Sequence, residues 1–115
     1  MNCVLLYGSL GAPPEYYISA KGVPSVKWSL AVRPRRGNGV NWVQCITYGA
    51  LAEIIHDQYG TGDFMLIKDG ELTITKRGES PPYWMVRVRL IEHLSKKARD
   101  TINYYQPDQL EDKNG

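Results

Sequence analysis

The chain has 115 residues, enough for one domain that buries a core without staples. Its net charge of +2 is unevenly placed: residues 1–99 carry 13 Lys and Arg against 8 Asp and Glu, whereas residues 100–115 carry one Lys against four acids. A basic body favours a polyanionic partner, and the lack of a long apolar run or a basic amphipathic helix turns that expectation from a membrane surface towards nucleic acid.

In chain order, Asn2 to Leu10 reads as a first strand, with Val4, Leu6 and Leu10 on one side and Leu5 and Tyr7 on the other. Apolar on both faces, it is expected to be central or buried against another subunit. Gly8 and Gly11 mark a bulge or bend of the kind that small barrels need to close. Tyr16 to Ile18 is a short extended piece between the turns at Pro13-Pro14 and Lys21-Gly22. Ser25 to Val32 is the clearest alternating strand, and it places Val26, Trp28, Leu30 and Val32 in the core. Arg33-Pro-Arg-Arg-Gly-Asn-Gly39 follows as a compact basic hairpin loop.

Trp42 to Tyr48 reads as the third strand. Trp42, Gln44, Ile46 and Tyr48 share one face, and the smaller Val43, Cys45 and Thr47 share the other. Taken alone, both aromatics suit a core. Next comes a helix over Ala50 to Tyr59, with Leu51, Ile54 and Ile55 as its apolar face and Gly60 or Gly62 as its stop. Phe64 to Ile67 is a strand, Lys68-Asp69-Gly70 carries a hairpin-turn signature, and Glu71 to Arg77 returns as a strand into the basic loop Lys76-Arg77-Gly78. Tyr83 to Leu94 is the last strand, with Trp84, Val86, Val88 and Leu90 on one face and Met85, Arg87, Arg89 and Ile91 on the other. Residues 95–115 read as a polar, mobile tail behind a domain of residues 1–94.

A single helix between the third and fourth of five main strands predicts a mostly β protein with the OB-fold, a five-stranded Greek-key barrel. Cys3 and Cys45 both fall in predicted strands and are expected to be small buried hydrophobes in a reducing compartment, with no secretory leader ahead of Cys3. His56 and His93 lack a neighbouring nucleophile motif, and Asp63, Asp69 and Glu71 have no spacing that unites them. There is no glycine-rich phosphate loop and no metal-ligand spacing, so the chain is expected not to be an enzyme and to use no cofactor, metal or small-molecule substrate.

A surface reading remains. Single-stranded nucleic acid is held by aromatic platforms for bases and by cations for the backbone. Trp42 and Tyr48, with Gln44 between them, supply the platforms if the opposite face of their strand supplies the packing. Arg33, Arg35, Arg36, Lys76 and Arg77 lie in flanking loops, and Lys27, Arg87 and Arg89 are spaced along strands.

Several runs resemble the bacterial single-stranded DNA-binding proteins: Asn2-x-Val4-x-Leu6-x-Gly8-x-Leu10-Gly11, Pro14-Glu15, Gly22, Ser29 to Val32, Trp42 and Tyr48-Gly-x-Leu-Ala-Glu53. Gly62-Asp63, Gly70-x-Leu72 and Ile91-x-x-Leu94 continue the pattern. The chain is also similar to the related primosomal replication protein and to compact cyanobacterial and plastid relatives.

The resemblance implies an OB-fold and a homo-oligomer, dimer or tetramer, joined through sheet edges that include the first strand. It implies single-stranded DNA wound over aromatic and basic residues, with RNA left open, and carries the base-stacking role onto Trp42 and Tyr48. It also implies a part in replication, repair or recombination, in a nucleoid-associated cytoplasmic setting or a plastid, and the departures from the family pattern that follow make that part an accessory one. The chain departs from the family pattern at Ala50, Thr61, Thr73, Thr75 and Arg77, where basic or aromatic residues are usual, and its acidic tail lacks the family's Pro-Phe tip. Those losses leave open a second reading, an OB-fold interaction module in a replication or nucleoid complex with little nucleic-acid binding of its own.

Overall fold

A computed structural model describes residues 1–76 and 78–92 of the chain. Its elements are β1 (Val4–Leu10), β2 (Glu15–Ile18), β3 (Pro24–Val32), β4 (Asn41–Tyr48), α1 (Ala50–Gln58), β5 (Phe64–Thr75) and β6 (Tyr83–Ile91). The strands hydrogen-bond in the order β1-β5-β6-β4-β3-β2, and a further β1–β3 pairing closes the sheet into a barrel with β2 as an added edge. All pairings are antiparallel except β4 with β6. This is the OB-fold, with its helix between β4 and β5.

Closure depends on close backbone approach. A Cβ on Gly8 would lie 2.3 Å from the carbonyl oxygen of Ala31, so only glycine lets β1 cross onto β3 there. The core is filled from alternate positions: Val26, Trp28 and Leu30 of β3, Cys45 of β4, Met65 and Ile67 of β5, and Val86 and Val88 of β6. Helix α1 covers one end of the barrel with Ala52 and Ile55, and Tyr59 just beyond it is buried too. The inward stripe is thus Ala52, Ile55 and Tyr59 with Leu51 beside it, whereas Ile54 faces outward. Tyr16 of β2 clamps the helix from outside. Its ring stacks on His56 at 4.3 Å and its hydroxyl donates to Glu53 at 2.5 Å, and that bond holds the phenol above its ordinary pKa. The helix starts from Gly49, whose φ of +74° and ψ of −143° suit glycine and no other residue without strain.

The Asp69-Gly70 hairpin expected from the sequence is absent, because β5 runs unbroken through both residues. Gly70 is there for packing: a Cβ would lie 2.7 Å from the Val86 methyl carbon. The ladder shifts register between Ile67 and Gly70, which marks a bulge where the turn was expected. That bulge also changes the phase of β6. Val88 pairs with Gly70 and Leu90 with Asp69, so Ile91 turns inward and Leu90 outward, the reverse of simple alternation.

Trp84 keeps the phase of Val86 but lies where the β5–β6 hairpin has run past the barrel, so it is 58% exposed beside its cross-strand partner Ile74. The first strand begins at Val4, leaving Cys3 outside it and exposed, so only Cys45 is the buried thiol. Leu5 is 68% exposed, and β1 pairs with β5 along its length but with β3 only at Ser9 and Leu10. The last residues of the expected final strand, His93 and Leu94, and the expected tail of 95–115 lie outside the described residues.

Candidate nucleic-acid interface

Strand β4 carries the candidate site because its two faces differ in burial. Val43, Cys45 and Thr47 point into the barrel, and the buried Thr47 hydroxyl donates to the Val88 carbonyl at 2.7 Å. That bond ties β4 to β6 where their ladder has only two paired positions, Cys45 with Val86 and Ile46 with Arg87. With packing satisfied from within, Trp42, Gln44 and Tyr48 stand on the outer face, Trp42 59% and Tyr48 45% exposed. Ile46 shares their phase but is covered.

Directly paired residues on neighbouring strands share a face, so the registers lay out the surface row by row. Trp42 neighbours Ala31, Gln44 neighbours Ser29, and Tyr48 neighbours Ser25, which in turn neighbours Tyr17. Between the Gln44 and Tyr48 rows runs a charged one: Glu15, Lys27, Ile46, Arg87 and Glu71 lie side by side across five strands. The cations Lys27 and Arg87 therefore sit at the centre of the sheet and the acids at its margins.

Local contacts orient these groups. The Trp42 indole lies over Gly11, where a Cβ would come within 2.4 Å of its Cζ3. Glycine thus gives the ring its seat, and the exposed remainder is open for stacking. Gln44 donates to the Ser29 hydroxyl at 2.8 Å. The Arg87 guanidinium lies 5.2 Å from the Tyr48 ring centroid, a cation–π arrangement that makes the two a single unit. Lys27 stands 5.9 Å from the centroid of Tyr17, whose hydroxyl donates to Glu15 at 2.8 Å. Sequence reasoning took Tyr17 only as part of an extended piece. Its pairing with Ser25 puts it on the same face as Tyr48, and the alternation of Tyr16 with Tyr17 was the available signal.

The loops fall into place through strand direction. Because β4 and β6 run parallel with Cys45 opposite Val86, the connections that precede them lie at one end of the sheet. The exposed Arg33, Arg35 and Arg36 are in the first and the exposed Lys76 is in the second, so they gather beyond Trp42 rather than around the whole face. Arg77 lies outside the described residues. Among the described residues, no three His, Cys, Asp or Glu gather as metal ligands, and no helix is long and apolar enough to cross a membrane.

A closed OB barrel presenting an aromatic and cationic strand face defines the class of oligonucleotide-binding barrels. The chain belongs to the single-strand binding protein family, whose profile matches residues 1–80. No curated protein matches the sequence at a significant level. Among solved structures, a deletion variant of the single-stranded DNA binding protein from Thermus aquaticus superposes with a TM-score of 0.69 at 23% identity, covering 84% of this chain. The chain spans 42% of that protein's length. The SSB domain of a Synechococcus sp. protein superposes with a TM-score of 0.66 at 17% identity, over 81% of this chain and 96% of the domain. At these identities the likeness establishes the fold.

Proposed function

We propose that the chain binds single-stranded DNA across the outer face of β3, β4 and β6, as an accessory factor in replication, repair or recombination. The observation that carries this reading is the pairing of open Trp42 and Tyr48 surfaces on one strand with Lys27 and Arg87 in the row between them. Bases stack on the aromatics, each contributing about 1–3 kcal/mol, and phosphates meet the cations. The loop arginines Arg33, Arg35 and Arg36 extend the path beyond Trp42. Stacking and phosphate contact do not read the sugar, so single-stranded RNA is a second ligand of the same surface. The cations are spread thinly and two acids border them, which supports modest affinity and an accessory role over general coating of DNA.

The exposed Leu5 and the half-paired β1 support a homo-oligomer that adds a second chain at this edge. Titration of a fluorescent dT oligonucleotide tests binding, and light scattering tests assembly. No saturable binding at low salt rejects the first proposal, and a monomer at high concentration rejects the second.

A further inference from the structure

Beside the short β4–β6 seam an open depression of about 390 Å³ adjoins the candidate face. Its size is that of a small-ligand pocket. Tyr48, Arg87 and Arg89 contribute an aromatic ring and two guanidinium groups, Leu51 an apolar wall, and Glu71 a carboxylate. The ring and the cations suit any nucleotide. The carboxylate does not, because a negative charge repels the phosphates that the arginines attract. No hydrogen bond or ion pair joins the Glu71 side chain to another described residue, although its backbone pairs with Arg87 in the ladder. Its two oxygens thus accept from no described side chain, in a depression that it shares with the Arg87 and Arg89 guanidinium groups and the Thr47 and Tyr48 hydroxyls.

We infer that this depression seats one base of the bound strand and that Glu71 selects guanine. An ionised carboxylate only accepts hydrogen bonds. Guanine presents two adjacent donors on one edge, its N1–H and N2–H, which a carboxylate can accept together. Adenine and cytosine each offer one amino group there beside an acceptor, and thymine one imino N–H between two carbonyls. Those neighbouring acceptors face the second carboxylate oxygen unfavourably. Guanine then stacks against the Tyr48–Arg87 unit while Arg89 meets the adjoining phosphate.

The inference rests on the proposed binding of single strands, and the experiment separates the two. Anisotropy titrations compare a dT oligonucleotide with one of equal length carrying isolated dG substitutions, and with dA- and dC-substituted controls. The dG oligonucleotide is expected to bind roughly five- to tenfold tighter than dT. In Glu71→Gln the preference should fall to within about twofold, and dT should bind at least as tightly as before because a charge that repels phosphate is gone. Free dGMP at the same concentration should not displace the oligonucleotide, because it lacks the flanking contacts. Equal binding of dG and dT by the unaltered protein overturns the inference while leaving single-strand binding intact. Persistence of the preference in Glu71→Gln overturns it too, as does displacement by dGMP, which would assign the pocket to a free nucleotide. Failure of every oligonucleotide to bind overturns the proposed function and this inference with it.

Discussion

Replacing Gly11 with alanine tests whether Trp42 works as a positioned platform. The new Cβ would lie 2.4 Å from Cζ3 and 2.7 Å from Cη2 of the indole. Restoring van der Waals contact requires the ring to retreat by about 1 Å or more. The clash is with the outer end of a side chain, so the ring can swing without unfolding the barrel. The expected consequence is loss of part of one stacked base out of the usual 1–3 kcal/mol, or roughly three- to tenfold weaker oligonucleotide binding. Chemical unfolding should show a change in stability below about 1 kcal/mol, as for a substitution that crowds only the surface.

The assay is a double-mutant cycle of Gly11→Ala and Trp42→Ala, read by dT anisotropy. If Gly11 acts through the ring, Gly11→Ala has little effect once Trp42 is gone. Equal weakening by Gly11→Ala in both backgrounds would refute the reasoning and assign the effect to the β1–β2 backbone.

Thr47→Val removes the buried donor to the Val88 carbonyl at the short β4–β6 seam, and should cost about 1–3 kcal/mol in urea unfolding; an unchanged midpoint would show that the seam does not depend on this bond. Gly49→Ala meets no atom within 4 Å, yet the positive φ should still cost about 1–3 kcal/mol; a neutral result would mean that the helix start can relax. Burial pushes the Cys45 thiol from its usual 9.0 up to about 12, so iodoacetamide at pH 8 should label the exposed Cys3 alone in the native protein and both thiols in urea. The same shift contributes stability that is complete below pH 9 and lost as pH rises from 9 towards 12, since only the unfolded thiol ionises there; in Cys45→Ala that part of the alkaline decline should disappear.

The barrel was legible because its clearest strands are half-buried. Val26, Trp28 and Leu30 alternate with polar residues, and Cys45 and Thr47 alternate with Gln44 and Tyr48, so period-two patterning identified both the strands and their inner faces. What escaped were departures from strict alternation. Asp69-Gly70 has turn chemistry but sits in a bulge, where the need for glycine comes from Val86 on another strand. The inward turn of Ile91 follows from that bulge and has no local signature. Trp84 has the phase of a core residue, and only the length of the hairpin beyond the barrel shows that nothing covers it.

The site was legible residue by residue and not as an arrangement. Trp42 and Tyr48 could be assigned to one face from spacing alone. The row uniting Lys27, Ile46 and Arg87 between Glu15 and Glu71 depends on four strand registers, which no local pattern specifies. Gly11 beneath Trp42 and Arg87 over Tyr48 are contacts between distant segments, set by barrel closure.

In the proposed function, the β4 face holds single-stranded nucleic acid through stacking and charge together. The measurement that meets it most directly is a dT oligonucleotide titration of the whole chain at several salt concentrations, repeated with Trp42→Ala and Arg87→Ala. Binding should be saturable and weaken with salt, with a loss of about 1–3 kcal/mol in Trp42→Ala at an unchanged salt slope and a slope shallower by about 0.7 in Arg87→Ala. Binding that is absent at low salt, or that neither substitution alters, would contradict it.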